Sequence, residues 1–500
     1  MMTLETQNYS KLLSDLFDGL SMINSSIAVS GLAIDSREVK PGDLFMAYRG
    51  TYVNGIEYID AAIKAGAIAV AIDAEEIMDE TKLSVPLIKV NRLRQQVGII
   101  ASRFYEEPSK AIQVIGVTGT NGKTTVSYLI AQTLSMCGKH SALIGTLGYG
   151  RFKQIESGHM TTPDPIKLHS LFANWRNEID SVAMEVSSHA LDQGRVAGVE
   201  FDIAVFTNLS RDHLDYHHSL ESYGEAKSLL FKFPGLKHAV INADDDYGKK
   251  LIKELLGKVD LVAYTLNKNQ SEYRDIRVVS CDVKQLDELT TRLTVESPWG
   301  TEVINTSLLG IFNLENILAA FSVLCLTGIS TEETAKAISG FNGIPGRMEY
   351  FSAKDKPLLV VDYAHTPDAL EKALKALRPY CKGKLYCVFG CGGDRDTGKR
   401  KQMGMIAESL ADNVVLTNDN PRSEKPEHIV KQILVGIKAK DKVTIRYDRS
   451  DAITNTFLNA DKDDVVLIAG KGHETTQQIG KDLLPFSDRE LARRLTEGDA

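Results

Sequence analysis

The sequence predicts an α/β protein built of about three domains. Its 500 residues suggest about three domains at roughly 150 residues each. Hydrophobic residues make up 43% and charged residues 25%, so the chain can form real cores and is neither disordered nor collagen-like. Short apolar runs alternate with amphipathic segments, which is the pattern of parallel sheets with crossover helices.

The first hundred residues predict a small α/β domain over residues 1–99. Asp43–Gly50 (DLFMAYRG) and Ala67–Ile72 (AIAVAI) are short apolar runs typical of buried strands. Between them, Glu57–Gly66 (EYIDAAIKAG) predicts a helix that ends at its last glycine.

Two further α/β domains follow. The alternation of strands and helices continues from residue 100 and predicts a central domain over 100–343, with a hinge at Gly343–Gly346. It then restarts and predicts a third domain over 344–500. The predicted elements there are the strand Pro357–Ala364, the helix Asp368–Leu377 and the strands Lys384–Gly390, Asn413–Asp419 and Asp464–Gly470.

Composition and charge exclude several classes of protein. The 58 basic and 66 acidic residues give a net charge of −8, whereas bulk nucleic-acid binders are normally basic. No apolar run approaches the roughly 18 residues of a membrane span, and residues 1–10 lack the basic and apolar segments of a signal peptide. The six cysteines lack CxxC pairs, which favours reduced thiols. We therefore expect a cytoplasmic protein with no nucleic-acid or membrane partner.

The strongest local motif is a glycine-rich loop between a strand, Ala111–Val117, and a helix. Its residues are Gly119, Thr120, Asn121, Gly122, Lys123, Thr124 and Thr125. Backbone N–H groups in such a loop surround an anion, the lysine reaches the β- and γ-phosphates, and the hydroxyl after it suits Mg²⁺. Val117 stands where a standard phosphate loop has its first glycine. A plain turn with a solvated lysine is the alternative, but the order of strand, loop and helix favours nucleotide binding.

This loop resembles that of the Mur ligases, the ATP-dependent amino-acid-adding enzymes of peptidoglycan synthesis, whose loop also departs from the standard spacing. Motifs similar to that family extend from about Asp35 to Glu474. The resemblance implies an N-terminal UDP-binding domain, a central ATPase domain with a mostly parallel sheet, and a C-terminal Rossmann-like domain that admits the amino acid. It also implies ATP as a co-substrate and Mg²⁺ as a cofactor.

Two side chains are implied to serve the metal site together with Thr124. Glu185 follows an apolar run in AMEVSSHAL, which favours a carboxylate at a strand end over an ordinary exposed glutamate. His213 lies in NLSRDHLDYHH, where His213, His217 and His218 by themselves could suggest zinc, although their spacing is not a standard ligand set. The resemblance implies that Glu185 binds Mg²⁺ and that His213 serves the same site.

Lys227 is the least obvious of the residues implied to be catalytic with Lys123. It lies four residues after Tyr223 in SYGEAKSLLF, on the same helix face. By pattern alone it would be a solvated surface lysine. The segment resembles the one in which most Mur ligases carry a carbamylated lysine, so the resemblance implies an N6-carboxylysine whose carbamate helps to hold a second Mg²⁺.

Four more residues are implied to contact ATP. Asn313 and Asn316 lie near a helix start in GIFNLENILAA, where Asn313 could instead be a helix cap. The resemblance implies that these amides recognise adenine. It also implies that Arg347, just after the hinge, contacts a phosphate when the domains close, and that Asp362 contacts the ribose.

Further matches imply a UDP-linked substrate. Asp35-Ser36-Arg37, followed by PGDLF, resembles the uridine-binding domain of the dipeptide-accepting member of the family. The other matching positions are Thr161, Thr162, Ser187, Gln193 and Arg195. The last of these supplies positive charge for an anionic ligand in an acidic protein.

The third domain indicates which amino acid is added. Asp419-Asn420-Pro421-Arg422 follows a strand, and its arginine presents a planar fork suited to a carboxylate. This tetrapeptide is the motif of the members that add meso-diaminopimelate. Arg395, Gly470 and Glu474 match the remaining contacts to that amino acid, Arg395 with a carboxylate and Glu474 with an amino group. A simple Asx-Pro turn is the alternative for the tetrapeptide alone.

The implied reaction joins these parts. The partners are UDP-MurNAc-L-Ala-D-Glu, meso-diaminopimelate and ATP, and we expect the chain to act as a monomer. The D-glutamyl carboxylate attacks the γ-phosphate of ATP to give an acyl phosphate, and the amine then displaces phosphate.

Three other functions stay open at this point. A folylpolyglutamate synthase uses a similar loop, but the DNPR motif and the N-terminal domain argue against it. A P-loop ATPase switch or motor predicts ATP hydrolysis without any small acceptor. A non-catalytic UDP-sugar-binding module would not need Lys123, Glu185 and Lys227 together.

Overall fold

Three sheets of four, eleven and six strands organise the computed structural model of the chain, which describes residues 9–23, 25–50, 53–78, 81, 83–158, 160–267, 273, 275–285, 289–341 and 343–498. Residues 1–8, which include most of the segment tested for a signal peptide, lie outside the described part. The α/β class and the three-part division predicted from the sequence are confirmed. In the described part of the chain, no helix is both long and apolar enough to cross a membrane.

The N-terminal unit is a parallel sheet, β3-β4-β5-β6, with apolar cores on both faces. The predicted helix before Gly66 and the two predicted strands are present. The first of these strands ends three residues early, because the chain turns back so that Arg49 pairs with Asn54. Its elements are β1 Lys11–Leu12, α1 Leu13–Leu16, β2 Ala28–Val29, β3 Gly31–Ala33, β4 Asp43–Ala47, α2 Ile59–Ala65, β5 Ala69–Asp73, β6 Leu87–Val90 and α3 Leu93–Phe104.

The predicted boundary at residue 99 falls inside a helix. Helix α3 continues to Phe104, and its side chains Val97, Ile100 and Phe104 pack in the N-terminal core against Leu44. The boundary by residue stays a prediction, and this packing favours placing it after Phe104.

The central unit is a mixed sheet in the order β10-β9-β8-β11-β7-β12-β13-β14-β15-β16-β17. The middle strands of the sheet are parallel: β8, β11, β7, β12, β13, β14 and β15. Strands β9 and β10 form an antiparallel edge next to β8, and β16 and β17 form the other antiparallel edge next to β15. The elements are β7 Gln113–Thr118, α4 Lys123–Met136, β8 Ser141–Gly145, β9 Gly148–Arg151, β10 Gln154–Glu156, α5 Pro165–Trp175, β11 Ser181–Glu185, α6 Ser188–Asp192, β12 Ile203–Phe206, α7 Leu214–His217, α8 Leu220–Ser228, β13 His238–Asn242, α9 Asp246–Leu255, β14 Asp260–Thr265, β15 Arg277–Gln285, β16 Thr291–Ser297, β17 Gly300–Thr306, α10 Ile311–Leu326 and α11 Thr331–Ser339.

The C-terminal unit is a sheet in the order β18-β19-β23-β20-β21-β22, parallel except for β18, with apolar cores on both faces. All four predicted strands and the predicted helix are present. The elements are β18 Glu349–Phe351, β19 Leu358–Asp362, α12 Pro367–Leu377, β20 Leu385–Phe389, α13 Gly398–Leu410, β21 Asn413–Leu416, α14 Pro426–Leu434, β22 Val443–Ile445, α15 Arg449–Asn459, β23 Val465–Ala469, β24 Thr476–Ile479, β25 Asp482–Pro485 and α16 Asp488–Glu497.

The carboxyl ends of the parallel strands place the polar residues together. The phosphate loop follows β7, Glu185 ends β11, Asp362 ends β19 and Gly470 follows β23. Ligands of open α/β sheets bind outside the carboxyl ends of the strands. The fold therefore predicts a site between the central and C-terminal units.

Candidate active site

A cavity of about 1160 Å³ opens between the central and C-terminal units. Its lining includes the loop residues 120–125 and, from the sequence-predicted set, Thr161, Glu185, Ser187, His213, Asn313, Asn316, Arg347 and Asp362. The fold thus brings most of the predicted ATP and metal residues to one place.

The phosphate loop is held by the segment that follows β12. Asn121 N–H donates to Asn208 Oδ1 at 3.0 Å, and Thr207 Oγ1 donates to the Asn121 carbonyl at 2.6 Å. Gly122 is the N-cap of helix α4 and lies in the left-handed region, with φ 86°, and a Cβ there would lie 2.4 Å from Asn316 Oδ1. Only glycine fits both the backbone conformation and this close approach. The loop is therefore pre-shaped, with the helix N-terminus directed at its anion site.

Two lysines converge on one carbonyl of this loop. Lys123 Nζ donates to the carbonyls of Gly119 at 2.8 Å and Thr120 at 2.9 Å, and Lys227 Nζ donates to the same Gly119 carbonyl at 2.8 Å. Burial lowers the pKa of Lys123, against the opposing charges of Glu185 and Asp212. The alternative of a solvated lysine in a plain turn does not fit this half-buried, hydrogen-bonded side chain.

Lys227 is buried, with 1% of its surface exposed, so the reading as a solvated surface lysine is wrong. Its Nζ lies 4.1 Å from the centroid of the Tyr223 ring. Burial lowers its pKa well below the ordinary lysine range, and the positive charge of Lys123 lowers it further. A neutral amine beside the phosphate loop is the form that can react with carbon dioxide.

Glu185 is also buried, with 1% exposed, so it is not an ordinary surface glutamate. Its Oε1 accepts the Thr146 N–H at 2.8 Å and its Oε2 accepts the Thr146 hydroxyl at 3.2 Å. That hydroxyl lies 3.1 Å from Thr161 Oγ1. Each carboxylate oxygen accepts one of these hydrogen bonds and can accept a further ligand, and Glu185 lines the cavity, which suits a hard cation.

His213 stands at the rim of the cavity in a cluster of rings. Its backbone is left-handed, with φ 52°, its ring Nε2 lies 3.4 Å from Asp212 Oδ2, and its ring centroid lies 4.8 Å from that of His189. His217 Nε2 instead pairs with Ser188 Oγ at 3.0 Å. Among the described residues, no group of three or more His, Cys, Asp and Glu side chains is placed so that it could hold a metal ion.

Asn313 and Asn316 are buried on the first turns of helix α10. Asn316 Nδ2 donates to Asn313 Oδ1 at 3.1 Å, and Asn313 Nδ2 donates to the Leu309 carbonyl at 2.8 Å. The helix N-cap is Gly310, so the alternative that Asn313 is the cap residue is wrong. Both amides line the cavity over the phosphate loop, as an adenine contact would require.

Arg347 connects the C-terminal unit to the nucleotide loop. Its NH2 group donates to Thr124 Oγ1 at 3.3 Å, and its guanidinium carbon lies 4.4 Å from the centroid of the Tyr363 ring.

Asp362 lies at the wall of the same cavity. Burial raises the pKa of Asp362, with Arg347 acting in the opposite direction. Its two oxygens accept the N–H groups of Met348 at 2.8 Å and Ala364 at 2.9 Å, which fixes the carboxylate at the cavity wall.

The predicted UDP-contacting residues lie toward the N-terminal unit. Arg195 donates to Gln193 Oε1 at 2.6 Å and to the Thr162 carbonyl at 3.3 Å. Burial lowers the pKa of Arg195, and the like charge of Arg94 from the N-terminal unit acts in the same direction. Ser187 N–H donates to Thr162 Oγ1 at 3.1 Å. This group faces the N-terminal unit.

Ser36 lies in that unit but is not brought into the cavity. It follows β3 in a tight turn, in which Arg37 N–H donates to Asp35 Oδ1 at 3.0 Å. The cavity lining does not include Ser36, Thr162, Gln193 or Arg195, and their contact with a nucleotide stays a prediction.

The predicted diaminopimelate residues come together at the carboxyl ends of β21 and β23. Asn420 Nδ2 donates to Glu474 Oε2 at 2.9 Å. A Cβ on Gly470 would lie 2.5 Å from Asp419 Oδ2, so this position must be glycine for the Asp419 carboxylate to lie over it. These side chains form one polar surface.

Arg422 and Arg395 belong to two loops that touch. Arg422 has a left-handed backbone, with φ 51°, and its NH1 group donates to the Gly393 carbonyl at 2.8 Å. A Cβ on Gly393 would lie 1.9 Å from the Pro421 carbonyl oxygen, so the two loops are in direct contact. Arg395, two residues further on, is exposed. The tetrapeptide is therefore part of a two-loop surface rather than an isolated Asx-Pro turn.

Sequence reasoning missed several polar residues of this region. Lys471 is buried, and its Nζ donates to Glu474 Oε2 at 2.6 Å and Asn420 Oδ1 at 3.0 Å. Asp368 accepts hydrogen bonds from Asn121 Nδ2 at 2.8 Å and Ser210 Oγ at 2.9 Å, which joins α12 to the phosphate loop. Lys471 directly follows Gly470 and lies three residues before Glu474, so its proximity to two predicted contacts could have identified it. Asp368 offered no signal, because its partners are 247 and 158 residues away in the chain.

Comparison with protein families gives three matches along the chain. The Mur ligase middle domain matches residues 117–324, the glutamate ligase domain of Mur ligases matches residues 346–472, and the catalytic domain of the Mur ligase family matches residues 28–105.

Individual proteins extend this similarity over nearly the full length. A protein of Coxiella burnetii named UDP-N-acetylmuramoyl-L-alanyl-D-glutamate--2,6-diaminopimelate ligase is 47% identical over 488 residues, which are 97% of this chain and 99% of that protein. A solved structure of a ligase of the same name is 34% identical, has a TM-score of 0.69, and matches 98% of this chain and 99% of its own. A folylpolyglutamate synthase of Mycobacterium tuberculosis complexed with ADP and AMPPCP is 17% identical over 76% of this chain and 92% of its own, with a TM-score of 0.59, and shares the fold alone.

Proposed function

This chain belongs to the Mur ligase family, and we propose that it joins meso-diaminopimelate to UDP-N-acetylmuramoyl-L-alanyl-D-glutamate in a reaction driven by the cleavage of ATP to ADP and phosphate. It is an ATP-dependent amide-bond-forming ligase of peptidoglycan precursor synthesis. The observation that most supports the proposal is the single cavity in which the phosphate loop, Glu185 and Arg347 meet. The folylpolyglutamate synthase alternative rests on fold similarity alone.

Activation of the acid is the first step. A carboxylate is a poor acyl donor, so the D-glutamyl carboxylate attacks the γ-phosphorus of ATP, the bond to the β,γ-bridging oxygen breaks, and an acyl phosphate and ADP result. Lys123 offsets the charge that develops when these anions meet, and Arg347 approaches the same place from the C-terminal unit. The loop N–H groups at the start of α4 orient the phosphates.

The residues present fit a Mg²⁺ ion held mainly by phosphate and water oxygens. Such an ion takes only one or two protein carboxylates, and Glu185 offers one that is already fixed by Thr146. Thr124, Glu185 and His213 would hold it, and a carbamate on Lys227 would help to hold a second Mg²⁺. Ions at these positions would neutralise phosphate charge. In the unmodified chain, the amine of Lys227 is one more hydrogen-bond donor beside Lys123 and the N–H groups at the start of α4. A carbamate on Lys227 would instead add a negatively charged metal ligand there.

Amide formation is the second step. The amine of diaminopimelate attacks the acyl carbon, the carbon–oxygen bond to phosphate breaks, and the departing phosphate or water takes up the proton that the amine loses. Asn420 and Glu474 orient the amino acid, with the Glu474 carboxylate accepting from its distal ammonium group and Arg422 and Arg395 facing its distal carboxylate. Contacts of Arg347 with Thr124 and of Asp368 with Asn121 bring the C-terminal unit against the nucleotide loop, which would exclude water from the acyl phosphate. We place the reaction in the cytoplasm, where ATP is available, and treat the chain as a monomer.

The proposal is tested by ADP release from the purified chain with UDP-MurNAc-L-Ala-D-Glu and three acceptor conditions: meso-diaminopimelate, L-lysine or no amino acid. We expect release that depends on both substrates and on meso-diaminopimelate. Turnover with lysine alone would contradict the assigned specificity. Equal turnover without any amine would instead favour an ATPase switch or motor.

Arg422→Ala is expected to raise KM for meso-diaminopimelate by about 10- to 100-fold, since hydrogen bonds to a charged group contribute roughly 1.5–3 kcal/mol. KM for ATP should stay near the wild-type value, because Arg422 lies outside the nucleotide cavity. Steady-state kinetics with each substrate varied in turn checks this. Arg446→Ala, which removes an exposed pair with Asp451 in the same domain, is the control. A parallel rise in both KM values would mean that Arg422 does not select the amino acid.

A further inference from the structure

A buried guanidinium in the C-terminal unit, that of Arg449, is not part of the lining of the nucleotide cavity. Arg449, the first residue of α15, has 1% of its surface exposed, and its partner Asp488, at the start of α16, has 0%. Nε donates to Asp488 Oδ1 at 2.7 Å, and NH2 donates to Asp488 Oδ2 at 2.8 Å. This is a bidentate pair fully removed from water.

The remaining donors of Arg449 reach two backbone carbonyls. NH2 also donates to the Ala469 carbonyl at 3.0 Å, and NH1 donates to the Asn418 carbonyl at 3.2 Å. Ala469 is the last residue of β23, and Asn418 lies just after β21. Strand β20 separates these two strands in the sheet, so the guanidinium connects two chain segments that no ladder joins directly.

Both carbonyls immediately precede proposed substrate contacts. Asn418 is followed by Asp419-Asn420-Pro421-Arg422, and Ala469 is followed by Gly470. Gln477 supports the first segment from another side, because its Nε2 donates to the Asp419 carbonyl at 2.7 Å. Asp419 and Gly470 lie close together, since a Cβ on Gly470 would lie 2.5 Å from the Asp419 carboxylate. Their relative position therefore depends on where Arg449 holds the two carbonyls.

The electrostatics of the pair agree with this geometry. Burial opposes the charge of Arg449, but Asp488 outweighs it and raises the pKa, and Asp419 and Glu474 act in the same direction. The charge of Arg449 is thus stabilised mainly by Asp488, and it also lies within electrostatic reach of two carboxylates of the proposed amino-acid site.

We propose that Arg449 is a positioning residue for the amino-acid substrate, fixing the ends of β21 and β23 so that Asp419, Asn420 and Gly470 meet the ligand in one geometry. This rests on the proposed function, since it assumes that these residues contact meso-diaminopimelate. Through Asp488 the same bond network ties the C-terminal helix α16 to the amino-acid site. Supporting groups of this kind set the precision of a binding site.

Replacement of Arg449 by lysine tests the geometry of its hydrogen bonds separately from its charge. Arg449→Lys keeps the positive charge opposite Asp488, but one ammonium group cannot reach both carbonyls and both carboxylate oxygens in a plane. We expect KM for meso-diaminopimelate to rise about tenfold, while KM for ATP and for the UDP-linked substrate changes by less than about twofold. Arg446→Lys, three residues earlier in an exposed pair with Asp451, is the matched control and should leave all three KM values unchanged.

Hydrogen exchange of the whole protein gives a second measurement that does not depend on turnover. In Arg449→Lys, amide exchange should accelerate in peptides covering residues 417–424 and 468–475 and stay unchanged in the phosphate loop. Asp488→Asn, which weakens the same network from the other side, should give the same pattern if Arg449→Lys fails to fold.

Equal changes in all KM values, or faster exchange throughout the domain, would show that Arg449 is a general stabilising residue and would overturn the inference. Absence of wild-type turnover with meso-diaminopimelate would count against the proposed function instead, while the exchange data still decide whether Arg449 positions the two segments.

Discussion

Lys227→Met is expected to lower kcat by about 10²- to 10³-fold, the loss typical for removing one charge-stabilising group from a transition state. Methionine fills a similar volume but can neither carry a carbamate nor donate to the Gly119 carbonyl, which keeps its bond from Lys123. The measurement is single-turnover ADP formation with saturating substrates. Lys232→Met, an exposed lysine five residues later, is the control and should retain full activity.

The same substitution should stabilise the fold while it inactivates the enzyme. Burial and the charge of Lys123 depress the pKa of Lys227 in the folded state. The unfolded chain therefore binds a proton that the folded chain excludes, and the unmodified lysine costs stability once the pH falls below the ordinary lysine range. The difference in Tm between Lys227→Met and the bicarbonate-depleted wild type should grow as the pH is lowered from 11 to about 8.

Bicarbonate distinguishes the carbamate from a free amine. Because burial and the charge of Lys123 lower the pKa of Lys227, more of its amine is neutral than in an ordinary lysine, and the neutral amine is the form that reacts with carbon dioxide. Depletion of dissolved carbon dioxide should reduce wild-type activity reversibly and leave the residual activity of Lys227→Met unchanged. A carbamate resonance from ¹³C-labelled bicarbonate that disappears in the variant would identify the site. Full activity of Lys227→Met would contradict the proposed role.

The sequence predicted the fold well where local patterns are strong. The strands of the C-terminal unit are continuous apolar runs such as Val465–Ala469, and buried parallel strands have that composition regardless of their neighbours. The phosphate loop was predicted from glycines whose left-handed backbone and close packing allow no side chain, as at Gly122. Strand ends were less accurate, because turns such as Arg49–Asn54 depend on tertiary packing. The continuation of α3 past residue 99 depends on packing in the same way.

Residues that act through distant partners could not be predicted in this way. Helix α8 is polar along much of its length, so no period in it shows that Lys227 is buried, and only family resemblance singled the residue out. Asp368 and Arg449 have polar side chains on helices, where a solvated position is the usual outcome. Their roles come from partners on other elements, and those partners are visible only once the sheets are assembled.

Lys123→Met is expected to lower kcat by about 10³-fold, the upper end for removing one charged donor from a phosphoryl-transfer site. Lys123 is the charged side chain of the phosphate loop itself, and its carbonyl bonds to Gly119 and Thr120 hold it at the cavity wall. Because the charge is needed most when the D-glutamyl carboxylate approaches the γ-phosphate, kcat should fall more than the affinity for ADP, which lacks that phosphate. ADP binding by calorimetry and single-turnover kinetics measure the two effects separately.

Lys139→Met, an exposed lysine beyond the end of α4, provides the control. A loss of ADP affinity as large as the loss of kcat would show that Lys123 binds the ground state rather than the transition state. In that case the main charge stabilisation would have to come from Arg347, which already reaches Thr124 from the other side of the cavity.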